Sequence, residues 1–214
     1  MIKTILISGF GVFGNYRSNL SETVAKTLDH HSLGNFRFVS VLFVAEASKR
    51  NLGEMIFNQA RVYGASAVIS LGIASEKKGI CVETKARNLF LNEKYCPELM
   101  GKPINPNRNI AEELELDLAP WNINQFCDRC SSAVLSVEVS RTCSGFCCNQ
   151  LAYQARAYQL EAFSNQTIPF IFLHIPCARE DVPDIMEFTS QGKIVMTEDE
   201  VVAGLSILLD GSNL

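Results

Sequence analysis

The adjacent cysteines Cys147 and Cys148 stand where a predicted β-strand gives way to a predicted helix. A thiol at a helix N-terminus meets unpaired backbone N–H groups and the positive end of the helix dipole, which favour the nucleophilic thiolate. The same N–H groups could hold the oxyanion that forms when a carbonyl carbon is attacked. Adjacent cysteines at a turn are also commonly small buried side chains, so the pair by itself does not identify a nucleophile.

His174 is the histidine whose position could serve a reaction. The other two histidines, His30 and His31, fall at the end of a predicted helix among polar residues, where a cation suits the helix dipole. His174 lies near the carboxyl end of the most apolar run, residues 168–175. A lone histidine in such a place is more often a hydrogen-bonded core residue than a catalyst, so it is weak evidence when taken alone.

The elements that must position these side chains follow from an alternation of apolar, strand-like runs with stretches of helical periodicity. Strands are predicted over residues 3–8, 36–44, 67–71, 134–140 and 168–175. Helices are predicted over residues 19–30, 47–63, 148–163 and 198–209. This alternation predicts an α/β fold with a mostly parallel sheet that helices cover on both faces. Ligands of such folds bind beyond the carboxyl ends of the strands.

The middle of the chain is less regular. Gly72 is predicted to end the third strand, and residues 80–92 are predicted to form a strand or a hairpin arm. Residues 101–109 have the composition of a turn-rich loop, and the acidic stretch 112–117 is predicted to be a solvated surface.

Length, charge and the N-terminal residues exclude several classes of protein. The chain has 214 residues and a net charge of -4, with both signs mixed along it. The absence of a Lys/Arg run argues against a nucleic-acid partner and against a basic membrane-binding surface. The N-terminus lacks the pattern of a signal peptide, and no apolar run reaches the ~18 residues that span a bilayer. We therefore expect a cytoplasmic protein.

The eight cysteines are expected to be reduced thiols, because the chain is not a small secreted scaffold. Cys127 and Cys130 form a CxxC pair, which leaves a zinc site or a redox role as alternatives. No second well-spaced CxxC and no nearby histidine complete such a zinc site. The pair also lies in a polar region rather than at the start of a helix that follows a strand, which argues against a redox motif.

Two segments resemble motifs of pyroglutamyl peptidase I, a family of cysteine peptidases also called pyrrolidone carboxyl peptidases. Residues 140–153 (SRTCSGFCCNQLAY) resemble its nucleophile motif, in which the catalytic cysteine directly precedes an asparagine and follows an aromatic residue by two positions. This alignment places the nucleophile at Cys148 and not at Cys147. Residues 172–176 (FLHIP) resemble the family's histidine strand and place the base at His174.

Two further segments extend the resemblance over nearly the whole chain. Residues 72–83 (GIASEKKGICVE) have the family's spacing from a glycine after a strand to the catalytic glutamate, here Glu83, and Ala86 and Asn88 continue the match. Residues 8–14 (SGFGVFG), followed by Asn19, resemble the N-terminal loop that encloses the pyroglutamyl ring.

The resemblance implies one domain over residues 1–214 with a three-layer α/β/α fold and a twisted, mostly parallel sheet. It implies a cysteine peptidase that removes an N-terminal pyroglutamyl residue from peptides through a thioester acyl-enzyme. Cys148 would be the nucleophile, His174 the base, and Glu83 the residue that orients the histidine. Neither a metal nor an organic cofactor is required, and a homo-oligomer, either a dimer or a tetramer, is expected. The substrate-binding residues expected from it are Phe10, Phe13, Asn19, Ile73 and Phe146.

The chain also departs from the family pattern. Val12 and Leu20 stand where prolines are usual, and Lys77 stands where an arginine is usual. Residues 89–94 differ most, because Glu93 occupies the approximate place of an arginine. Cys143, Ser144 and Cys147 are unusual next to the nucleophile. These departures keep two alternatives open: an amidase that acts on another small cyclic or acylated amine, and a non-catalytic binding or scaffold protein.

Overall fold

The computed structural model describes residues 2–44, 50–91, 97–141, 143, 146–161 and 168–214. Its strands are β1 (Lys3–Phe10), β2 (Ser32–Leu33), β3 (Phe36–Phe43), β4 (Ala67–Ile73), β5 (Ile80–Glu83), β6 (Lys85–Arg87), β7 (Glu113–Glu115), β8 (Val137–Ser140) and β9 (Phe170–Ile175). Its helices are α1 (Leu20–Leu28), α2 (Leu52–Val62), α3 (Ile123–Ser132), α4 (Cys147–Glu161), α5 (Ile185–Ser190) and α6 (Glu198–Gly211). In this part of the chain, no helix combines the length and apolar character needed to cross a bilayer.

Seven strands form the central sheet, in the order β2-β3-β1-β4-β9-β5-β8. The pairs β1–β3, β1–β4, β4–β9 and β5–β8 are parallel, whereas β2–β3 and β5–β9 are antiparallel. β6 and β7 form a separate two-stranded antiparallel sheet. The prediction of a mostly parallel sheet with helices on both faces is therefore confirmed.

The central strands are apolar because both of their faces are covered. Every residue of β4 and of β9 is buried, so these strands carry nearly continuous apolar runs rather than an alternating pattern. Successive side chains of one strand enter opposite core layers: Ile5 and Ile7 of β1 pack into one cluster, and Leu6 packs into the other. Helix α6 contacts both α1 and α3, and α2 contacts α4.

Polar side chains fix the starts of the helices. Asn19 caps α1 by accepting a hydrogen bond from the backbone N–H of Ser21. Asn51 caps α2 in the same way, so that helix begins at Leu52 rather than near residue 47; residues 45–49 lie outside the described part. Thr197 and Glu200 form a capping box at the start of α6.

The sequence predicted that the strand beginning at Ala67 ends at Gly72. That prediction is wrong, because this strand, β4, continues to Ile73. Gly72 pairs with His174 in the β4–β9 ladder. A β-carbon added at Gly72 would lie 2.8 Å from Cys148 Sγ. The glycine therefore serves a close approach inside a strand and not a turn.

Other differences concern the middle of the chain. Residues 80–91 contribute β5 to the central sheet and β6 to the small sheet, so they form two short strands rather than the single strand or hairpin arm that the sequence predicts. The acidic stretch contains β7, in which Leu114 is buried between the exposed residues Glu113 and Glu115. The sequence prediction also missed α3 and α5. α3 carries mainly polar residues and α5 has only six residues, so the apolar periodicity that identifies a helix is short in both.

We expect Gly9→Ala to lower the free energy of unfolding by ~1–3 kcal/mol, the usual range for overpacking. A β-carbon at Gly9 would lie 2.1 Å from the carbonyl oxygen of Ser21, so α1 would have to move away from β1. Gly11→Ala is the matched control, because the nearest atom to its β-carbon is 3.7 Å away. Urea unfolding of both variants measures the effect, and equal stability of the two would contradict the packing argument.

Candidate active site

The sheet brings the three predicted catalytic side chains to one region through the register of β4, β9 and β5. His174 on β9 pairs with Gly72 on one side and with Cys81 on the other. Glu83 lies two residues beyond Cys81, so both side chains project from the same face of β5 as the ring of His174. Cys148 lies in the first turn of α4. The strand that precedes α4 is β8. Because β8 is parallel to β5 and β5 is antiparallel to β9, β8 runs in the direction opposite to β9.

His174 and Glu83 form a buried hydrogen bond. The distance from His174 Nδ1 to Glu83 Oε1 is 2.8 Å, and the two side chains are 1% and 0% exposed. Burial alone would raise the pKa of Glu83, but the hydrogen bond and charge of His174, together with Ser140 and Lys77, lower it below its ordinary value. Because an ionised carboxylate only accepts hydrogen bonds, His174 donates its Nδ1–H to Glu83, and Nε2 is left as the ring nitrogen that can exchange a proton with another group.

Lys77 places a cation next to this pair. Its Nζ lies 3.6 Å from Glu83 Oε1, and its side chain is 15% exposed. The position where the family resemblance has an arginine therefore keeps a positive charge next to the glutamate. The thiol of Cys81, 3.7 Å from the same oxygen, completes the surroundings of Oε1.

Cys148 and His174 both border Gly72. The position of a β-carbon on Gly72 is 2.8 Å from Cys148 Sγ and 3.4 Å from His174 Cδ2, so both side chains occupy the space that a larger residue would fill. His174 Nε2, which neighbours Cδ2 in the ring, is buried and has no hydrogen-bond partner among the described residues. The nitrogen is therefore free to accept a proton.

The protonation state of Cys148 differs from the expectation of a thiolate at a helix start. A hydrogen bond with Cys147 and burial of the side chain raise the pKa of Cys148 well above its ordinary value. Cys148 lies in the first turn of α4, where the helix N-terminus would lower its pKa. The hydrogen bond with Cys147 and burial outweigh that effect. The group at rest is a neutral thiol, and a base must remove its proton before it attacks.

A cavity of about 220 Å³ adjoins Cys148. All five residues predicted to bind substrate line it: Phe10, Phe13, Asn19, Ile73 and Phe146. Tyr16, Ala74, Ser75, Glu76 and Cys147 line it as well and were not predicted. Tyr16 could have been found from its spacing, because its ring packs 5.1 Å from that of Phe13, three residues earlier. The cavity wall is thus mainly apolar and aromatic.

Asn19 holds the loop that forms one wall of this cavity. Its Oδ1 accepts hydrogen bonds from the N–H and hydroxyl of Ser21, and its Nδ2 donates to the carbonyl of Gly11. These contacts use both ends of the amide. Asn19 therefore fixes the loop to α1, and its contribution to the cavity is mainly to position Phe10 and Phe13.

Asn149, the residue after Cys148, anchors the first turn of α4 to β6. Its Oδ1 accepts from the N–H of Arg87, and its Nδ2 donates to the carbonyls of Arg87 and Leu89. Asn88 is itself fixed by hydrogen bonds to the loop at residues 105–109. The asparagine in the nucleophile motif thus has a structural reason: it fixes the backbone that carries the thiol.

The CxxC pair and Glu93, which the sequence also singles out, are not among the residues described at this site. Cys127 and Cys130 lie within α3, and the described residues contain no group of three or more His, Cys, Asp or Glu side chains that could hold a metal ion. Glu93, the main departure from the family pattern, belongs to residues 92–96, which lie outside the described part.

The lowered pKa of Glu83 predicts a pH dependence of stability. Its folded-state pKa is below the ordinary value of 4.5, so the stability it adds is fully present above that pH and is lost as pH falls through the folded value. Between about pH 6 and pH 3, wild type should therefore lose more free energy of unfolding than Glu83→Gln. Urea unfolding across this range measures the slopes, with the exposed Glu98→Gln as control. Equal slopes for wild type and Glu83→Gln would contradict the prediction.

Comparison with known proteins gives a consistent result. The family model described as pyroglutamyl peptidase matches residues 3–212. The pyrrolidone-carboxylate peptidase of Halalkalibacterium halodurans is 24% identical over 181 residues, which is 84% of this chain and 87% of that protein. The pyrrolidone-carboxylate peptidase of Bacillus cereus strain Q1 is 27% identical over 180 residues, or 82% of this chain and 79% of that protein.

Solved structures share the fold. Pyroglutamyl peptidase I from Bacillus amyloliquefaciens superimposes with a TM-score of 0.82 at 20% identity and covers 100% of this chain and 96% of that one. A variant of pyrrolidone carboxyl peptidase from Pyrococcus furiosus superimposes with a TM-score of 0.79 at 17% identity, with 98% and 97% covered. Because the family match extends over nearly the whole sequence, the chain belongs to the pyroglutamyl peptidase family of cysteine-type omega peptidases, as its four motifs predicted.

Proposed function

We propose that this protein hydrolyses the amide bond that follows an N-terminal pyroglutamyl residue of a peptide, with Cys148, His174 and Glu83 as its catalytic residues. One observation carries the proposal. Cys148 Sγ and the ring of His174 converge at Gly72 beside an aromatic cavity, while Glu83 holds the opposite side of the ring. A thiol, a base and a residue that orients the base are the parts that nucleophilic acyl transfer requires.

Acylation begins with a neutral thiol. His174 Nε2 takes the proton of Cys148 as Sγ attacks the carbonyl carbon of the pyroglutamyl residue, and Glu83 stabilises the imidazolium that forms. Backbone N–H groups in the first turn of α4 are suited to hold the oxyanion of the tetrahedral intermediate. Coupling proton transfer to attack is necessary here, because the hydrogen bond with Cys147 and burial hold the pKa of Cys148 high.

The intermediate then collapses with breakage of the carbon–nitrogen bond. His174 gives its proton to the leaving amine, which departs as the shortened peptide and leaves a thioester on Cys148. A water molecule that His174 deprotonates attacks the thioester carbonyl. Breakage of the carbon–sulfur bond releases pyroglutamate and restores the thiol, with no redox change and no cofactor.

The cavity suits a small, uncharged ring. Its volume of about 220 Å³ and its aromatic wall of Phe10, Phe13 and Phe146 match a five-membered lactam better than an extended side chain. Burial, followed by the charge of a Cys177 thiolate, raises the pKa of Tyr16 to about 12, so this wall residue is a neutral phenol near neutral pH. The polar atoms of the lactam would be met by backbone groups of the loop that Asn19 fixes.

The alternatives are less well supported. A scaffold protein would not need a buried His174–Glu83 pair and an unoccupied Nε2 next to a thiol, since burying such groups destabilises the fold unless they are paired. An amidase that acts on another small cyclic amine would use the same residues. Membership of the pyroglutamyl peptidase family favours the pyroglutamyl substrate over that alternative.

We further propose that residues 1–214 act as a single pyroglutamyl-peptidase-like domain. Support comes from the central sheet, which combines strands from both halves of the chain, and from the hydrogen bond between the Lys3 ammonium and the carbonyl of Leu214. A cytoplasmic location is supported by the requirement for a reduced nucleophile next to a second thiol, which a reducing compartment maintains.

We propose a homo-oligomer, either a dimer or a tetramer, on the basis of exposed apolar side chains at and just beyond the carboxyl ends of β1 and β3. Val12, Leu42 and Val44 are exposed. The ladder brings their segments together, because Gly9 pairs with Leu42, and the N–H of Gly11 bonds to the carbonyl of Phe43. A neighbouring apolar group of this kind is typical of contact surfaces.

Cys148→Ala should reduce kcat toward a pyroglutamyl-aminocoumarin amide by roughly a thousandfold or more, because the group that attacks is removed. Cys147→Ala, one residue earlier in the same turn, should have a much smaller effect. Release of fluorescent aminocoumarin measures both rates. If Cys147→Ala removed activity and Cys148→Ala did not, the nucleophile would be misassigned. No activity in folded wild type would contradict the proposed reaction itself.

Cys147→Ala should also increase the rate at which Cys148 reacts with iodoacetamide near neutral pH. The hydrogen bond with Cys147 is the largest cause of the raised pKa of Cys148, so its loss lowers that pKa and increases the thiolate fraction. Alkylation followed by mass spectrometry measures the rate at each cysteine. The buried Cys130 is the internal control, and an unchanged or slower rate at Cys148 would contradict the assignment.

A further inference from the structure

A second, more open cavity adjoins the proposed active site. It has a volume of about 330 Å³ and shares three wall residues, Phe13, Tyr16 and Phe146, with the first cavity. We call it the leaving-side groove and define it by these three residues together with Val182, Pro183, Phe188 and Lys193. None of these last four residues belongs to the wall of the first cavity.

The groove has an apolar wall with one charge. Among the described residues that line it, Lys193 is the one with an ionisable cationic side chain. Its Nζ lies 5.2 Å from the centroid of the Phe188 ring, which is within the range of a cation–π contact. The described residues place no carboxylate within ion-pair distance of this ammonium. Lys193 is therefore a half-buried cation that is free to meet an anion.

The charge at the other cavity has the opposite sign. Glu76 lines the first cavity and is exposed. A ligand that extends from the first cavity into the groove thus passes from the neighbourhood of a carboxylate to that of an ammonium. Such an arrangement disfavours an anion near the reacting bond and favours one at the far end of the ligand.

We propose that the leaving-side groove binds the part of the peptide that departs as the amine, with apolar residues against Val182 and Phe188 and a terminal carboxylate at Lys193. This inference rests on the proposed function. The pyroglutamyl ring ends the chain on one side, so the remainder of the substrate must leave the first cavity through an opening. Phe146, two residues before Cys148, borders both spaces, so the groove adjoins the segment that carries the nucleophile.

The substrate class that follows is a short peptide with an apolar residue or two after the pyroglutamyl group and a free C-terminal carboxylate. A longer peptide would not place its carboxylate at Lys193, and a peptide whose C-terminus is an amide has no carboxylate to place there. A partly exposed ion pair of this kind changes kcat/KM by roughly three- to fivefold.

The test compares each peptide as free acid and as C-terminal amide. The substrates are pyroglutamyl-leucine and pyroglutamyl-alanyl-leucine in both forms, with the pyroglutamyl-aminocoumarin amide as a substrate that has no peptide leaving group. Wild type should prefer the free acid, in kcat/KM, by about three- to fivefold for at least one of the two lengths. Lys193→Gln should bring that acid-to-amide ratio to about one, and Lys193→Glu should invert it.

Lys102→Gln is the matched control, because Lys102 is an exposed lysine outside both cavities and should keep the wild-type ratio. Equal kcat/KM for acid and amide at both lengths would overturn the groove proposal while hydrolysis of the aminocoumarin amide upheld the proposed function. A ratio that Lys193→Gln left unchanged would also overturn it. Failure of wild type to hydrolyse any of the substrates would overturn both proposals together.

Discussion

The hydrogen bond between His174 Nδ1 and Glu83 Oε1 depends on the direction of one short strand. β5 runs antiparallel to β9, so Cys81 pairs with His174 and Glu83 lies further from the carboxyl end of β9. The carboxylate therefore meets the histidine ring from the interior, where it is shielded from water, and leaves Nε2 on the side of Cys148. If β5 were parallel to β9, the residue two positions after Cys81 would lie beyond His174, toward the carboxyl end of β9. The reversed strand is thus the geometric reason that one ring joins a buried acid to a reactive thiol.

The remaining parts of the site hold backbone rather than reacting atoms. Asn149 fixes the first turn of α4 to β6, and Asn19 fixes the aromatic loop to the start of α1. Gly72 leaves room for two side chains to converge. Each of these contacts restricts one segment that would otherwise be free to move, and an acyl-transfer site requires such positional accuracy. The amides in the motifs are therefore explained by their hydrogen bonds to main-chain groups.

Much of the fold could be predicted from the sequence, because β4 and β9 carry nearly continuous apolar runs. The four motifs likewise predicted which side chains come together. The direction of β5 could not be predicted, since a strand of four residues, three of them apolar, carries no signal of parallel or antiparallel pairing. The sequence predicts a strand end at Gly72, because glycine more often ends a strand than serves a close contact within it. The pKa of Cys148 depends on the placement of Cys147 within one helical turn, and sequence alone does not give that geometry.

The neutral thiol of Cys148 has a consequence for the durability of the protein. Peroxide and other oxidants react with thiolates, and their rate falls as the thiolate fraction falls. A nucleophile whose pKa is held high by burial and by Cys147 is therefore slow to oxidise between turnovers, although the first turn of α4 carries two thiols side by side. The raised pKa thus makes Cys148 less nucleophilic at rest and more resistant to oxidation. His174 restores its nucleophilicity when it removes the proton.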